Sequence, residues 1–381
     1  MILYDYQAFT WQKFGGVSNS FAQLIKYLPD DISYEVAIKE CDNEHLISSN
    51  IAPIVPYYKD SAENFLFGSK FRGKFRLYKA VSFLFPSATS YGRNRKYAID
   101  SLKKGNYDVF HPTFYDFYFL KYLKNKPFVL TIHDMIPELF YNNKNDMQII
   151  GKKQMAFRAS HIIAVSEKTK KDIIDILGID EKKITVIHHG INKSKIEIGK
   201  PIFNFKYILF VGGRNMQYKN FIPMINNIAP VLKRHQDIKL ICTGDSFNEH
   251  EKILFKKLDI TDSVLHIHCN DTEMFNLYNN AICFIFPSLY EGFGIPILEA
   301  YQADCPVLLN KKSCFPEVAK DAAIYFTLDD NCQNLDCVLE EFLQNYTECR
   351  QVLLARQQER LKHFSWKKSA QMLANVYRNI M

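Results

Sequence analysis

The sequence lacks several features that would place it in a well-defined class of protein. Its nine cysteines include no Cys-X-X-Cys pair, so neither a zinc-binding spacing nor a disulfide framework is indicated. No apolar run approaches the roughly 18 residues that cross a membrane, and the first residues lack the pattern of a signal peptide. The sequence also contains no Asp-X-Asp triplet. We therefore expect a cytoplasmic globular protein with reduced thiols and no metal site.

The length and the apolar pattern predict two domains. With 381 residues, 47% of them hydrophobic and 23% charged, the chain can bury two separate cores. Short apolar runs alternate with helical patterns, which favours parallel sheets. The predicted strands are 107–110, 127–132, 161–165, 184–187, 207–211, 238–242, 264–267 and 281–286. A polar stretch at 192–204 is the predicted linker, so the α/β domains span 1–195 and 205–364.

The last of these strands is followed by a glycine-rich turn, a helix start and two glutamates. Glu291 falls in the loop, Pro296 suits the first helical turn, and Glu299 then lies in the opening turns of the helix. The N-terminus of a helix presents free N–H groups and the positive end of its dipole, so phosphate is its natural ligand. The two carboxylates would accept hydrogen bonds from hydroxyl groups on either side of that phosphate.

Two glycine pairs offer further places for a phosphate. Gly212-Gly213 follows a predicted strand and lies near Arg214 and Lys219, whose charges can neutralise a diphosphate. Gly15-Gly16 precedes an apolar helical pattern and forms another helix start. Taken alone, a Gly-Gly turn near basic residues is more often an ordinary surface loop, and Gly15-Gly16 is equally well explained as a helix entry that needs small residues.

Together these segments resemble the retaining glycosyltransferases of the GT-B fold, specifically glycosyltransferase family 4. Glu291 and Glu299 match the E-X7-E motif of that family, and the other matching segments are 14–18, 131–138, 164–167, 210–214, 219–220 and 316–318. The resemblance implies two Rossmann-like, doubly wound domains that face each other across a cleft. The first would bind the acceptor and the second the nucleotide sugar, and a C-terminal helix at 365–381 would pack back on the first.

The resemblance also implies roles for single residues. Arg214 and Lys219 match the side chains that hold the donor diphosphate and stabilise the leaving group. Glu291 matches the glutamate near the sugar hydroxyls, and Glu299 the one that bonds the ribose. His133, after a predicted strand, matches a histidine near the anomeric carbon of the donor. Further donor contacts, mainly through the backbone, are expected from Gly15, Gly16, Gly213, Phe293, Gly294 and Ile295.

The activity implied by the resemblance is retaining, metal-independent transfer of a hexose from a nucleotide diphosphate sugar. The acceptor would be a glycan or a lipid-linked glycan in surface polysaccharide or lipopolysaccharide assembly, and no cofactor is expected. The pattern looks most like bacterial mannosyltransferases, which makes GDP-mannose the expected donor. A UDP-sugar donor, a nucleotide-sugar epimerase of the same fold and a non-catalytic partner subunit stay open as alternatives.

Positive charge is concentrated in one segment of the first domain. The whole chain carries +7, yet the stretch 65–99 alone has eight basic and no acidic residues, with phenylalanines interleaved. One interpretation is peripheral contact with an anionic membrane surface at its inner face. The other is a solvated helix whose aromatic side is buried. No nucleic-acid-binding motif accompanies the charge, so nucleic acid is not an expected partner.

Overall fold

The computed structural model describes residues 1–53, 55–56, 65–141, 143–191, 199–328 and 334–381. The chain divides into two compact units. Unit 1 comprises Met1–Gly190 together with Trp366–Met381, and unit 2 comprises Ile191–Ser365. Residues 192–198 of the predicted linker lie outside the described residues.

Unit 1 is built on parallel strands. Strands β2, β1 and β5 form one sheet in that order, β6, β7 and β8 form another, and β3 pairs with β4. A parallel bridge between Phe110 and Phe128 connects β5 to β6. The strands are β1 (Ile2–Tyr4), β2 (Tyr34–Val36), β3 (Glu40–Cys41), β4 (Val55–Pro56), β5 (Val109–His111), β6 (Val129–Ile132), β7 (His161–Ala164) and β8 (Ile184–Val186).

The helices of unit 1 include the C-terminal helix of the chain. They are α1 (Gly16–Lys26), α2 (Glu44–Ser49), α3 (Lys74–Leu84), α4 (Ser90–Lys104), α5 (Ile136–Phe140), α6 (Met147–Arg158), α7 (Glu167–Leu177) and α15 (Trp366–Ile380). Helix α15 packs on α1. The buried hydroxyl of Tyr377 bonds Tyr4 Oη and His111 Nδ1, each at 2.6 Å. These bonds satisfy polar groups in the core and fix the last helix to the sheet.

Unit 2 contains one six-stranded parallel sheet in the order β11-β10-β9-β12-β13-β14. This is the doubly wound order 3-2-1-4-5-6, whose topological switch point lies between β9 and β12. The strands are β9 (Lys206–Phe210), β10 (Ile238–Cys242), β11 (Val264–His266), β12 (Cys283–Phe286), β13 (Val307–Asn310) and β14 (Ile324–Phe326). The α/β class and the predicted strands are confirmed, with their ends shifted by two residues at most.

The helices of unit 2 cover this sheet and enclose an apolar core. They are α8 (Phe221–Arg234), α9 (Glu249–Lys257), α10 (Asp271–Asn280), α11 (Ile295–Gln302), α12 (Phe315–Ala319), α13 (Leu335–Gln344) and α14 (Tyr346–Leu361). Strands β12 and β13 are buried along their whole length, as expected of a parallel sheet with both faces covered. The core therefore holds the strand ends rigidly, and the loops that follow them form the candidate site.

Among the described residues, no helix is both long enough and apolar enough to cross a bilayer.

Candidate functional site

The loop between β12 and α11 brings the motif glutamates to the switch point of unit 2. Gly294 caps α11 with φ +87°, a conformation that disfavours other residues, and no side chain caps the helix. Pro296 has no N–H and the Ile297 N–H donates to the Gly294 carbonyl at 3.0 Å, so the first turn of α11 offers a ligand the Ile295 N–H. Glu299 lies four residues beyond Ile295, about 6 Å along the helix axis. Burial, together with the Glu299 carboxylate, raises the pKa of Tyr278 well above its usual value, which places Glu299 beside α10.

Glu291 forms an ion pair with Lys219. The Lys219 ammonium lies 2.8 Å from Glu291 Oε1, and Ser288 Oγ donates to the same oxygen at 2.7 Å. Ser313 holds the backbone of Glu291, because its Oγ accepts from the Glu291 N–H at 3.1 Å and donates to the Glu291 carbonyl at 2.8 Å. The carboxylate is consequently fixed in position although it sits in a loop.

Lys219 ends a short 3₁₀ turn in the loop after β9. Asn220 follows in the left-handed conformation, with φ +58°, and its amide donates to the Pro287 carbonyl at 3.2 Å. The backbone N–H of Leu289 donates to the Tyr218 carbonyl at 2.7 Å. These bonds tie the loop after β9 to the loop after β12, so Lys219 and Glu291 meet beyond the carboxyl ends of two neighbouring strands.

The glycines after β9 and β10 let two loops approach closely. A Cβ atom at Gly244 would lie 2.7 Å from the Gly212 carbonyl oxygen, and both glycines have positive φ. Gly213 faces open space, since a Cβ there would meet nothing within 4 Å. The backbone at Gly213 is thus accessible, as the sequence predicts.

Arg214 is buried in this structure, and its predicted contact with a diphosphate stays a prediction. Its side chain is 2% exposed and its Nε lies 2.8 Å from Glu251 Oε1. Nη1 donates to the Thr243 carbonyl at 2.7 Å, and Nη2 donates to the Asp245 carbonyl. The guanidinium ties the loops after β9 and β10 to helix α9 through three of its five N–H donors.

Two of the expected backbone contacts are compatible with the structure. The side chain of Phe293 is buried and packs edge-on against Phe364 at 5.7 Å between ring centroids. Ile295 opens α11 and is half-buried. Only the backbone of this turn is therefore in a position to meet a ligand.

In unit 1 the glycine pair begins α1. Gly15 is the cap residue in extended conformation, and no side chain caps the helix. A Cβ at Gly16 would meet nothing within 4 Å, whereas one at Gly15 would lie 2.6 Å from Gln12 Oε1. Asn43 donates to Ser18 Oγ at 3.0 Å and Ser18 donates to the Gly15 carbonyl at 2.9 Å, which fixes this first turn.

His133 lies against α1 in the same unit. Its ring stacks on that of His189 and contacts Phe21 of α1 edge-on, with 5.8 Å between the ring centroids in both cases. The pKa of His133 is lowered to about 4, mainly by burial and also by Lys152, while Asp134 opposes the change. The imidazole is neutral at physiological pH, and its buried Nε2 has no hydrogen-bond partner among the described residues.

A buried charge network beside His133 was missed by the sequence analysis. The side chain of Lys152 is fully buried; its ammonium lies 2.8 Å from Glu138 Oε2 and donates to the Asp134 carbonyl at 2.9 Å. In the sequence Lys152 stands next to Lys153, and nothing distinguishes the buried lysine from its exposed neighbour. This network holds the turn that follows His133.

The part of the chain that the structure describes contains no group of three or more His, Cys, Asp or Glu side chains arranged to hold a metal ion.

Two family models between them match most of the chain. One, described as Glycosyltransferase Family 4, matches residues 14–195, and the other, described as Glycosyl transferases group 1, matches residues 193–358. They divide the chain close to the boundary between the two units.

Relatives with assigned names match parts of the chain. The O-antigen chain mannosyltransferase RfbU of Salmonella typhimurium is 29% identical over 205 residues, which cover 53% of this chain and 57% of that protein. The O-antigen chain mannosyltransferase B of Escherichia coli is 34% identical over 110 residues, 28% of each chain. Both alignments therefore span less than two thirds of the relative.

A solved structure with a similar fold covers nearly the whole chain. Anabaena HepE, crystallised in complex with UDP and glucose, matches with a TM-score of 0.70 at 15% identity over 99% of both chains. Likeness at this identity concerns the fold, and it confirms the predicted GT-B fold. Since the two family models together take in residues 14–358, the chain belongs to the family 4 glycosyltransferases.

Proposed function

We propose that unit 2 binds a nucleotide diphosphate sugar and that the enzyme transfers its hexose with retention of configuration. The observation that carries the proposal is the meeting of Lys219 and Glu291 at the switch point, next to the amino end of α11. Doubly wound sheets bind ligands at this place, and the donors here suit an anion.

Each side chain of this group has a separate task in the proposal. Lys219 and the backbone of α11 stabilise the charge that develops on the departing diphosphate, the task that a metal ion performs in other transferases. Glu299 accepts hydrogen bonds from the vicinal hydroxyls of the ribose. Glu291, fixed by Ser288 and Ser313, accepts hydrogen bonds from the sugar. The reaction is proposed to need no metal and no cofactor.

The proposed mechanism requires positioning more than a strong base. The acceptor hydroxyl attacks the anomeric carbon from the face that the diphosphate leaves, and its proton passes to the leaving phosphate oxygen. Positioning and charge stabilisation then supply most of the rate enhancement. His133 in unit 1 is a neutral imidazole with a buried, unpartnered Nε2, which suits a hydrogen bond to a sugar hydroxyl.

GDP-mannose is the proposed donor and a glycan or lipid-linked glycan the proposed acceptor. The support comes from the names of two relatives, both O-antigen chain mannosyltransferases. A UDP-hexose is the second candidate, because HepE was crystallised with UDP and glucose. Surface polysaccharide assembly is the proposed process in either case.

Thermal-shift titration with GDP, UDP, ADP and dTDP tests this proposal. A nucleotide that binds only the folded protein raises its melting temperature by mass action. We expect GDP to stabilise the protein equally in magnesium and in EDTA. Selective stabilisation by UDP would show that the donor is a UDP-sugar and not GDP-mannose. Stabilisation that requires magnesium would overturn the proposed metal independence. No response to any nucleotide would contradict the proposal.

Glu299→Gln serves as the site variant in this titration, and Glu249→Gln is its matched control. Glu249 is an exposed glutamate on α9 that pairs with Lys252 at 2.7 Å. The rise in melting temperature on adding nucleotide should be smaller in Glu299→Gln than in the parent chain, and unchanged in Glu249→Gln.

A further inference from the structure

Helix α3 exposes its apolar side and buries its polar one. Tyr78 and Ser82 face the interior, where Tyr78 Oη lies 3.0 Å from Ser90 Oγ and Ser82 donates to the Tyr78 carbonyl at 2.6 Å. The opposite side carries Leu77, Phe83 and Leu84, all exposed. At 100° per residue these three positions form one stripe. A helix in a globular protein usually has the reverse arrangement.

Neighbouring residues extend this stripe into a larger surface. Phe67 is fully exposed and Phe71 is exposed before α3, while Phe85 is exposed after it. We call this the α3 surface; it comprises Phe67, Phe71, Leu77, Phe83, Leu84 and Phe85. The phenylalanines of this surface are exposed, whereas the aromatic ring of Tyr78 on the opposite side of α3 is buried. Contiguous exposed apolar groups of this kind mark an interaction site.

Basic side chains lie among these apolar ones. Lys70, Arg72 and Arg76 are exposed, and the segment 65–99 contains no acidic residue. Two other basic side chains of this segment are directed inward, because Arg93 forms an ion pair with Glu40 and Arg95 with Asp116. The field at the α3 surface is consequently positive.

We propose that the α3 surface docks on an anionic lipid bilayer. Exposed phenylalanine and leucine side chains would enter the boundary between headgroups and acyl chains, while Lys70, Arg72 and Arg76 would meet lipid phosphates. A second copy of this chain fits the surface poorly, because two copies would bring the same positive charges together. The positive charge therefore favours an anionic partner. The exposed apolar stripe favours a partner that has an accessible hydrocarbon layer.

Co-sedimentation of the full chain with lipid vesicles tests the proposal. Vesicles of phosphatidylcholine with phosphatidylglycerol are compared with phosphatidylcholine alone, at about 0.1 M and about 1 M salt, where the Debye length falls from about 10 to about 3 Å. Binding is expected only to the anionic vesicles and should weaken in high salt.

Two double variants separate the charge from the apolar stripe. Arg72→Ala with Arg76→Ala should weaken binding about fivefold for each arginine removed. Phe83→Ser with Leu84→Ser should weaken it about tenfold or more for each side chain. The matched controls on α9 of unit 2 are Ile253→Ser, an exposed apolar position, and Lys256→Ala with Lys257→Ala, two exposed lysines. The controls should bind as the parent chain does.

Three results would overturn the inference. In the first, the parent chain sediments equally with neutral vesicles or without vesicles. In the second, the controls lose binding to the same extent as the α3 variants. In the third, sedimentation velocity would show a dimer that Phe83→Ser with Leu84→Ser converts to a monomer. That outcome would identify the α3 surface as an interface between copies.

Discussion

The ammonium group of Lys219 lies 2.8 Å from the carboxylate of Glu291, although the two residues belong to loops that follow different strands. Strands β9 and β12, which precede these loops, are hydrogen-bonded neighbours at the switch point of the sheet. The side chains are 19% and 13% exposed, so the pair is reachable from solvent but partly shielded. A bound diphosphate would compete with Glu291 for the Lys219 ammonium. A stronger Lys219–Glu291 ion pair would leave less positive charge to stabilise the diphosphate.

Replacing Lys219 should affect turnover more than folding. Lys219→Ala removes the cation proposed to stabilise the leaving diphosphate, and we expect kcat to fall by about 10²-fold or more. Lys219→Arg, which keeps the charge, should recover part of that loss. Steady-state kinetics with the donor sugar measures both, with Lys252→Ala on the exposed face of α9 as the control.

An unchanged kcat in Lys219→Ala, with the melting temperature preserved, would remove Lys219 from the reaction. The pair with Glu291 would then be an ordinary ion pair between two loops.

Arg214 and Glu251 should behave as a structural pair. Removing one partner of a buried ion pair leaves the other charge without compensation, so Arg214→Ala and Glu251→Ala should each lower the free energy of unfolding by about 3–5 kcal/mol. Arg214→Met with Glu251→Leu should lose less than the sum of the two single changes. Urea denaturation of the three variants gives these values.

The same variants distinguish a structural role for Arg214 from direct contact with the donor. If Arg214→Ala kept its stability and lost nucleotide affinity, whereas Glu251→Ala kept both, the guanidinium would have to contact the diphosphate. That result would support the predicted contact of Arg214 with the diphosphate.

His133 should make the protein sensitive to acid. Its pKa is lowered from 6.5 to about 4 in the folded state, so below pH 6.5 the unfolded chain binds the proton more readily. Stability contributed by the neutral imidazole is present above pH 6.5 and is lost as the pH falls toward 4. By linkage the loss amounts to about 3 kcal/mol.

His133→Gln removes this titration, and comparing unfolding free energies of the two proteins from pH 7 to pH 4 measures it. The parent chain should lose more stability than the variant over this window. The pKa values of His111 and His189 are also lowered, mainly by burial and partly by His133, so the difference between the two proteins measures His133 together with its effect on these neighbours. Parallel stability curves would show that His133 does not titrate as described.

Local patterns predicted eight of the fourteen strands in the described residues, β5 to β12, and missed β1 to β4, β13 and β14. Ser166 caps α7 by accepting from the Thr169 N–H at 3.1 Å, and Gly178 ends that helix with φ +68°. Strand β10 has the predicted bounds because its apolar residues, interrupted by Lys239 alone, are flanked by the polar residues Asp237 and Thr243. Such elements depend on neighbours in the sequence, which a single sequence displays.

The less predictable features depend on contacts between distant residues. Arg214 looks like a free cation after a Gly-Gly turn until the fold places Glu251, 37 residues later, against it. Lys152 and the exposed stripe of α3 are similar cases, since burial is decided by packing that no local pattern encodes. The segment 65–99 suggested both a buried and an exposed aromatic side, and only the fold distinguishes them.

Calorimetric titration of GDP and UDP into the parent chain, Lys219→Ala and Glu299→Gln, all in EDTA, tests the central claim most directly. We predict that the parent chain binds one of the nucleotides without metal and that each variant binds it about tenfold or more weakly, as expected for hydrogen bonds to charged groups. Equal affinity in all three folded proteins would contradict the claim that the donor binds at the switch point of unit 2.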